Sequence, residues 1–174
     1  MAKITKNWIA DKMRELMKRK PIEKIRVTEI CEVAELERPT FYYHFKDKYD
    51  LVAWMFYSDA VDTDVLSVQS AAAGLNKMKQ EILFYKRAYE DQSQNALWRY
   101  MIEYFVRRYS DLAKEKLGVD TLDTQLSYSI RFYCTGAVGM TREWVLEDNI
   151  TSAETVVKMM FASMPNSLHS LFFT

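Results

Sequence analysis

Residues 38–45 read Arg-Pro-Thr-Phe-Tyr-Tyr-His-Phe, and five of these side chains can donate a hydrogen bond. Phe41 and Phe45 stand four apart, the spacing of one helix face. A helix that buries both phenylalanines turns Arg38, Thr40, Tyr42, Tyr43 and His44 outward. A short helix with donors on its outer side suits a surface of acceptors, such as phosphate oxygens and the edges of base pairs. Two alternatives stay open. Tyr42 and Tyr43 could pack in a core, as aromatic residues at helical spacing often do, and His44 could be a structural histidine.

The elements needed to position that run are legible around it. Ile9, Met13, Leu16 and Met17 form the apolar stripe of a first helix, which Pro21 ends near Arg19 or Lys20. A second helix is expected from Val27 to Ala34, burying Ile30, Val33 and Ala34. Glu35-Leu36-Glu37 forms a three-residue turn, and the third helix runs from Arg38 to about Phe45. Three short helices with a tight turn between the second and third fit a helix-turn-helix, whose last helix enters the ~12 Å wide major groove. Asp47 can cap a fourth helix, with Asp50 three residues on facing the helix dipole. Leu51, Met55, Tyr57 and Ala60 would line its buried side, and it is expected to reach about Ser67.

The run Thr40 to Phe45, followed by Lys48 and Leu51 and preceded by Ile30 to Leu36, resembles the TetR family of transcriptional regulators in residue type and spacing over about residues 4–60. The resemblance implies a DNA-binding surface made of Arg26, Thr28, Arg38, Pro39, Thr40, Tyr42, Tyr43, His44 and Lys48. Thr40, Tyr42 and His44 would hold phosphates or the groove wall, and Lys48 would reach a phosphate from the start of the fourth helix. Arg38 and Tyr43 would read bases, Arg38 through two bonds to guanine. Three positions depart from the family pattern. Glu35 replaces a turn glycine and must tolerate that conformation. Arg26 stands where a capping Ser or Thr is usual; it cannot cap but could reach a phosphate, while Thr28 could shift the cap inward. Glu37 places an acid near the DNA, where it could accept from a cytosine amine or weaken non-specific affinity.

The remaining residues suggest an all-α body. Domains are expected at 1–50 and 51–174, with the helix over 47–67 linking the two and a linker at Ser70 to Asn76. Further helices are expected at about 75–90, 95–117, 122–147 and 152–164, with a C-cap at Gly118 and a capping box at Thr151 to Glu154. Pro165 would end the last helix and leave an apolar tail.

The family resemblance implies a homodimer in which the last two long helices pair with their symmetry mates. Tyr133, Gly136, Ala137, Gly139, Met140, Trp144, Met159 and Met160 are the candidate interface, although the glycines could instead relieve crowding inside one chain. A two-fold dimer would match a palindromic operator with half-sites ~34 Å apart. The resemblance also implies an effector. Tyr85, Tyr89, Trp98, Met101 and Tyr104 are candidate lining for an apolar small molecule with a polar tip, and Arg99 or Arg131 could meet an anion. Core or surface is the simpler reading for each of these. Within the family, Thr141-Arg142-Glu143-Trp144 and the compact length resemble the subgroup that includes the dihydroxyacetone-kinase operon activator. Its effector can be a protein partner, which leaves a coactivator that docks a protein as the alternative. Repressor and activator both remain open.

Composition sets the outer bounds. The chain has 174 residues, 49% hydrophobic and 28% charged, with four Gly and three Pro, which suits a helix-rich globular protein. Net charge is zero, but residues 1–26 carry nine Lys or Arg against three acidic residues, which points that end toward a polyanion. Cys31 and Cys134 lie far apart without metal-ligand neighbours, so neither a disulfide framework nor a metal site is expected. The amino terminus lacks a secretory signal pattern, and no apolar run approaches the roughly 18 residues of a membrane span. A cytoplasmic protein without a cofactor is therefore expected. Enzymatic chemistry is not, because His44 and His169 are the only histidines and neither has an evident nucleophile partner.

Overall fold

The computed structural model describes residues 2–60, 63–147 and 150–173. It is all-α, with helices α1 (Ala2–Met17), α2 (Val27–Ala34), α3 (Arg38–His44), α4 (Lys48–Ala60), α5 (Val68–Gln80), α6 (Ile82–Glu90), α7 (Leu97–Leu117), α8 (Thr124–Leu146), α9 (Ala153–Ala162) and α10 (Asn166–Phe173), plus a 3-10 turn at Ile22–Lys24. These fall into two compact units, Met1–Val61 with Glu81–Leu97 and Asp62–Gln80 with Trp98–Thr174. The first unit thus holds α1 to α4 together with α6, which begins 22 residues after α4 ends.

In the first unit the apolar stripe of α1 packs as its spacing requires, with Ile9, Met13, Leu16 and Met17 all buried. Ile22 and Ile25, on and after the 3-10 turn, are buried pegs between α1 and α2. On α2 the core side is Ile30, Cys31 and Ala34, whereas Val33, expected inside, is 38% exposed. The stripe on so short a helix falls at i, i+1 and i+4, which leaves position 33 on the flank. Phe41 and Phe45 are buried at 1% and 2% exposure, and their rings lie 5.9 Å apart. Along α4, Leu51, Val52, Ala53, Met55, Phe56 and Ala60 are buried, and Tyr57 is half-buried.

The helix expected over 47–67 is shorter. α4 ends at Ala60, residues 61 and 62 lie outside the described residues, and 63–67 form a turn. Polar side chains there capture the backbone. The Asp64 carboxylate accepts from the Leu66 N–H at 3.0 Å, the Ser70 hydroxyl accepts from the Asp64 N–H at 2.8 Å, and the Ser67 hydroxyl accepts from the Ser70 N–H at 3.2 Å. These contacts start α5, so residues 70–76 are helix and not the expected linker. The alanine run favours helix strongly, and Ala72 and Met78 bury a face on a helix that packs on α9. The helix expected over 75–90 is broken at Glu81 (φ −105°, ψ 37°).

The second unit is centred on Val65, Tyr109, Ala113, Ile130, Tyr133, Cys134, Met164, Leu168 and Phe172. The Tyr109 hydroxyl donates to the Val65 carbonyl at 2.8 Å, and its ring meets Tyr133 and Phe172 edge-on. Burial pushes the Tyr133 hydroxyl and the Cys134 thiol each up to about 12. Gly118 ends α7 at φ 66°, as its position suggests. The cap of α9 is Ser152, whose side chain accepts from the Thr155 N–H, one residue later than expected. The apolar tail is helix α10. Pro165 ends the preceding helix and starts this one, because its carbonyl accepts from the N–H groups of Leu168 and His169.

Candidate nucleic-acid interface

The turn between α2 and α3 depends on one unusual residue. Glu35 takes φ 53°, ψ 44°, the left-handed conformation in which glycine is most at ease. Its neighbour Leu36 returns an N–H to the Cys31 carbonyl at 2.9 Å, closing the end of α2. α3 then begins at Arg38 with Pro39 in its first turn, where no N–H is needed. Glu37 precedes it in extended backbone, and its side chain makes no cap bond. From the other side, the Trp8 indole N–H donates to the Ala34 carbonyl at 2.9 Å and ties α1 to the end of α2.

Seated on Phe41 and Phe45, α3 presents Arg38, Pro39, Tyr42 and Tyr43 as exposed residues, with Thr40 and His44 half-buried. Tyr43 is 81% exposed. The packing alternative for Tyr42 and Tyr43 therefore fails. Arg38 lies over the Tyr42 ring at 5.8 Å, with a guanidinium nitrogen 3.5 Å from the Tyr42 hydroxyl. This stack limits the freedom of a long side chain at the helix start.

Beside α3 is a shallow, open depression lined by Arg26, Val27, Thr28, Arg38, Tyr42 and the first residues of α4. The start of α2 supplies its wall. Arg26 is the N-cap, so the cap does not shift to Thr28, and the missing side-chain acceptor is offset by Glu29, whose carboxylate accepts from the Arg26 N–H at 3.0 Å. Lys20 pairs with the same carboxylate, and those two contacts hold the Glu29 carboxyl below its usual range. The Arg26 side chain, 81% exposed, stays outward.

Lys48 does not face that surface freely. Its Nζ donates to the carbonyls of Ile22 at 2.7 Å, Glu23 at 3.0 Å and Ile25 at 2.8 Å. An ammonium has three N–H bonds, so all are used. Burial lowers its pKa from the ordinary lysine value. Sequence reasoning missed this role because the 3-10 turn that supplies the carbonyls has no strong local signal. Asp47 behaves as expected, its carboxylate accepting from the N–H groups of Tyr49 and Asp50 at 2.8 Å each.

The candidate effector residues are divided. Tyr85 and Tyr89 are buried in the first unit, while Trp98, Met101 and Tyr104 belong to the second. Burial raises the Tyr85 hydroxyl pKa. Among the described residues, the Trp98 Nε1 is buried without a hydrogen-bond partner. Arg131 is engaged by Glu103 through two bonds of 2.8 and 3.0 Å, and Arg99 stacks on Trp98 at 4.4 Å.

Of the candidate interface residues, Tyr133 and Trp144 turn into their own unit, where the Trp144 N–H donates to the Thr151 carbonyl at 2.9 Å. Gly136, Gly139, Met140 and Met159 are exposed, and Ala137 and Met160 half-buried. An added Cβ at Gly136 or Gly139 would meet nothing within 4 Å, so neither glycine relieves crowding inside the chain. Tyr128 and Phe132, 73% and 72% exposed, extend this stripe. They were missed, though 128, 132, 136 and 140 repeat at four residues. Among the described residues there is no cluster of metal-ligating side chains, and no helix is long and apolar enough to cross a membrane.

Two family models match the chain, "Bacterial regulatory proteins, tetR family" over residues 9–55 and "Transcriptional regulator C-terminal region" over residues 70–166. The HTH-type dhaKLM operon transcriptional activator DhaS of Lactococcus lactis subsp. lactis (strain IL1403) is similar, at 22% identity over 153 residues, 84% of this chain and 82% of that protein. The solved structure of the dihydroxyacetone kinase operon activator DhaS superposes with a TM-score of 0.60 at 20% identity, covering 92% of this chain and 96% of that one.

Proposed function

The chain belongs to the TetR family and is a transcriptional regulator rather than an enzyme, and from that premise we propose that its first unit binds duplex DNA sequence-specifically through α3. The observation that carries this reading is the outward row of Arg38, Pro39, Tyr42 and Tyr43 on a helix whose other side is sealed by Phe41 and Phe45. Docked in the major groove, Arg38 reads base edges from the start of α3, joined by Tyr43, which is 81% exposed. Thr40, Tyr42 and His44 contact the backbone and groove wall, joined by Arg26 and Thr28 from the start of α2.

The second unit pairs two chains through α8 and α9, with Gly136 and Gly139 allowing close approach and Phe132 and Met140 packing across the two-fold axis. Such a homodimer presents two copies of α3 to a palindromic operator. An effector acts through the same unit, where the buried Trp98 N–H is a donor for an acceptor group on a small molecule. Two buried free thiols suit a reducing cytoplasm. The relatives named above are operon activators, which favours activation over repression; a reporter that falls when the gene is deleted would support it, and one that rises would oppose it.

The test is binding of labelled duplex across a salt series. Affinity should fall linearly on a log–log plot as counterions are released, and a selected duplex should outcompete random sequence. No binding to either duplex at low salt would end this reading.

A further inference from the structure

Lys48 opens α4, yet its ammonium points back at the connection between α1 and α2. The three carbonyls it holds belong to Ile22, Glu23 and Ile25, at and just after the 3-10 turn. Ile22 and Ile25 are themselves seated in the core at 2% and 0% exposure. The next residue, Arg26, is the N-cap of α2, and α2 packs on α3. One side chain therefore fastens the start of α4 to the start of α2. The Ile22 carbonyl also accepts from the Ile25 N–H at 3.0 Å, and a carbonyl oxygen has a second lone pair to offer a cation where the chain leaves the turn. Engaging a phosphate would cost Lys48 at least one of these bonds.

We propose that Lys48 is a positioning residue for DNA binding and not a phosphate contact: by holding the 22–25 carbonyls it sets where Arg26, Thr28 and, through α2, the outward residues of α3 meet the duplex. The proposal rests on the DNA-binding reading above, and the parent protein serves as its control, since failure of the parent to bind DNA would sink that reading and not this one alone.

Salt titration separates the roles. Removing a phosphate contact lowers the slope of log affinity against log salt by about 0.9, because one counterion fewer is released. Removing a positioning group leaves the slope in place. In Lys48→Met, measured well below its Tm and corrected for active protein, operator binding should weaken about tenfold with an unchanged slope. A slope reduced by about 0.9 would overturn the proposal, as would parental affinity accompanied only by a lower Tm.

A second measurement needs no folded variant. In the parent, amine labelling followed by mass spectrometry should find Lys48 much slower than exposed Lys46, at the same rate with and without operator duplex. Fast labelling of free protein that DNA suppresses would identify a phosphate contact and overturn the proposal.

Discussion

Helices α3 and α8 both carry exposed aromatic side chains, but they offer different chemistry to what lies outside them. On α3, Tyr42 and Tyr43 stand with Arg38, Thr40 and His44, and Tyr42 is stacked beneath a guanidinium. On α8, Tyr128 and Phe132 continue into Gly136, Gly139 and Met140, a stripe with little charge and open space over its glycines. Aromatic residues at helical spacing therefore carry little meaning alone. Their companions decide whether the face reads a polar groove or seeks another apolar surface.

The largest expected effect comes from the apolar face. Phe132→Asp would bury a carboxylate at the proposed dimer interface, and burying an unpaired charge costs several kcal/mol. Dimer dissociation should rise more than about 100-fold by analytical ultracentrifugation. Because Phe132 is exposed in the single chain, helical content should be unchanged. A variant that stays dimeric would remove α8 from the comparison.

Next is the polar face. Arg38→Ala should reduce discrimination between selected and random duplex by about 1–3 kcal/mol while leaving most of the non-specific affinity. Competition binding measures both. A uniform loss for all sequences would recast Arg38 as a backbone contact.

Much of this contrast was legible beforehand and part of it was not. The bounds of α2 and α3 followed from Pro21, the apolar spacing and the three-residue turn, and Phe41 and Phe45 are buried as their spacing required. Those signals are local. Lys48 was not legible, because its partners are main-chain atoms more than twenty residues away. Ser, Ala and Gly at 70–76 suggested a linker, yet packing on α9 and serine side chains at the helix start made helix α5. α6 joins the first unit through contacts such as Arg14 Nε to Glu81 Oε2 at 2.8 Å, which no periodicity marks.

Smaller effects refine the polar side. Glu35→Gly should raise stability by about 1 kcal/mol, since glycine occupies φ 53° without steric cost. Chemical denaturation measures it; a loss of stability would mean the Glu35 side chain makes a compensating contact. Glu29 gives the smallest effect. Its carboxyl is held below the usual value when folded, by Lys20 and by the Arg26 N–H, so its contribution is complete above the unfolded value near 4.5 and disappears as pH falls through the folded value. Glu29→Gln should flatten the acid limb of the stability curve there. An unchanged limb would mean the Lys20 pair contributes nothing in solution.

The most direct test of the central claim is selection of bound duplexes from a random pool by the purified protein. The account predicts enrichment of one palindrome with half-sites about one turn of DNA (~34 Å) apart, at least one guanine in each half-site lost from the consensus when Arg38→Ala is used. Enrichment of a single asymmetric site, or of nothing, would contradict a dimer that reads DNA through α3.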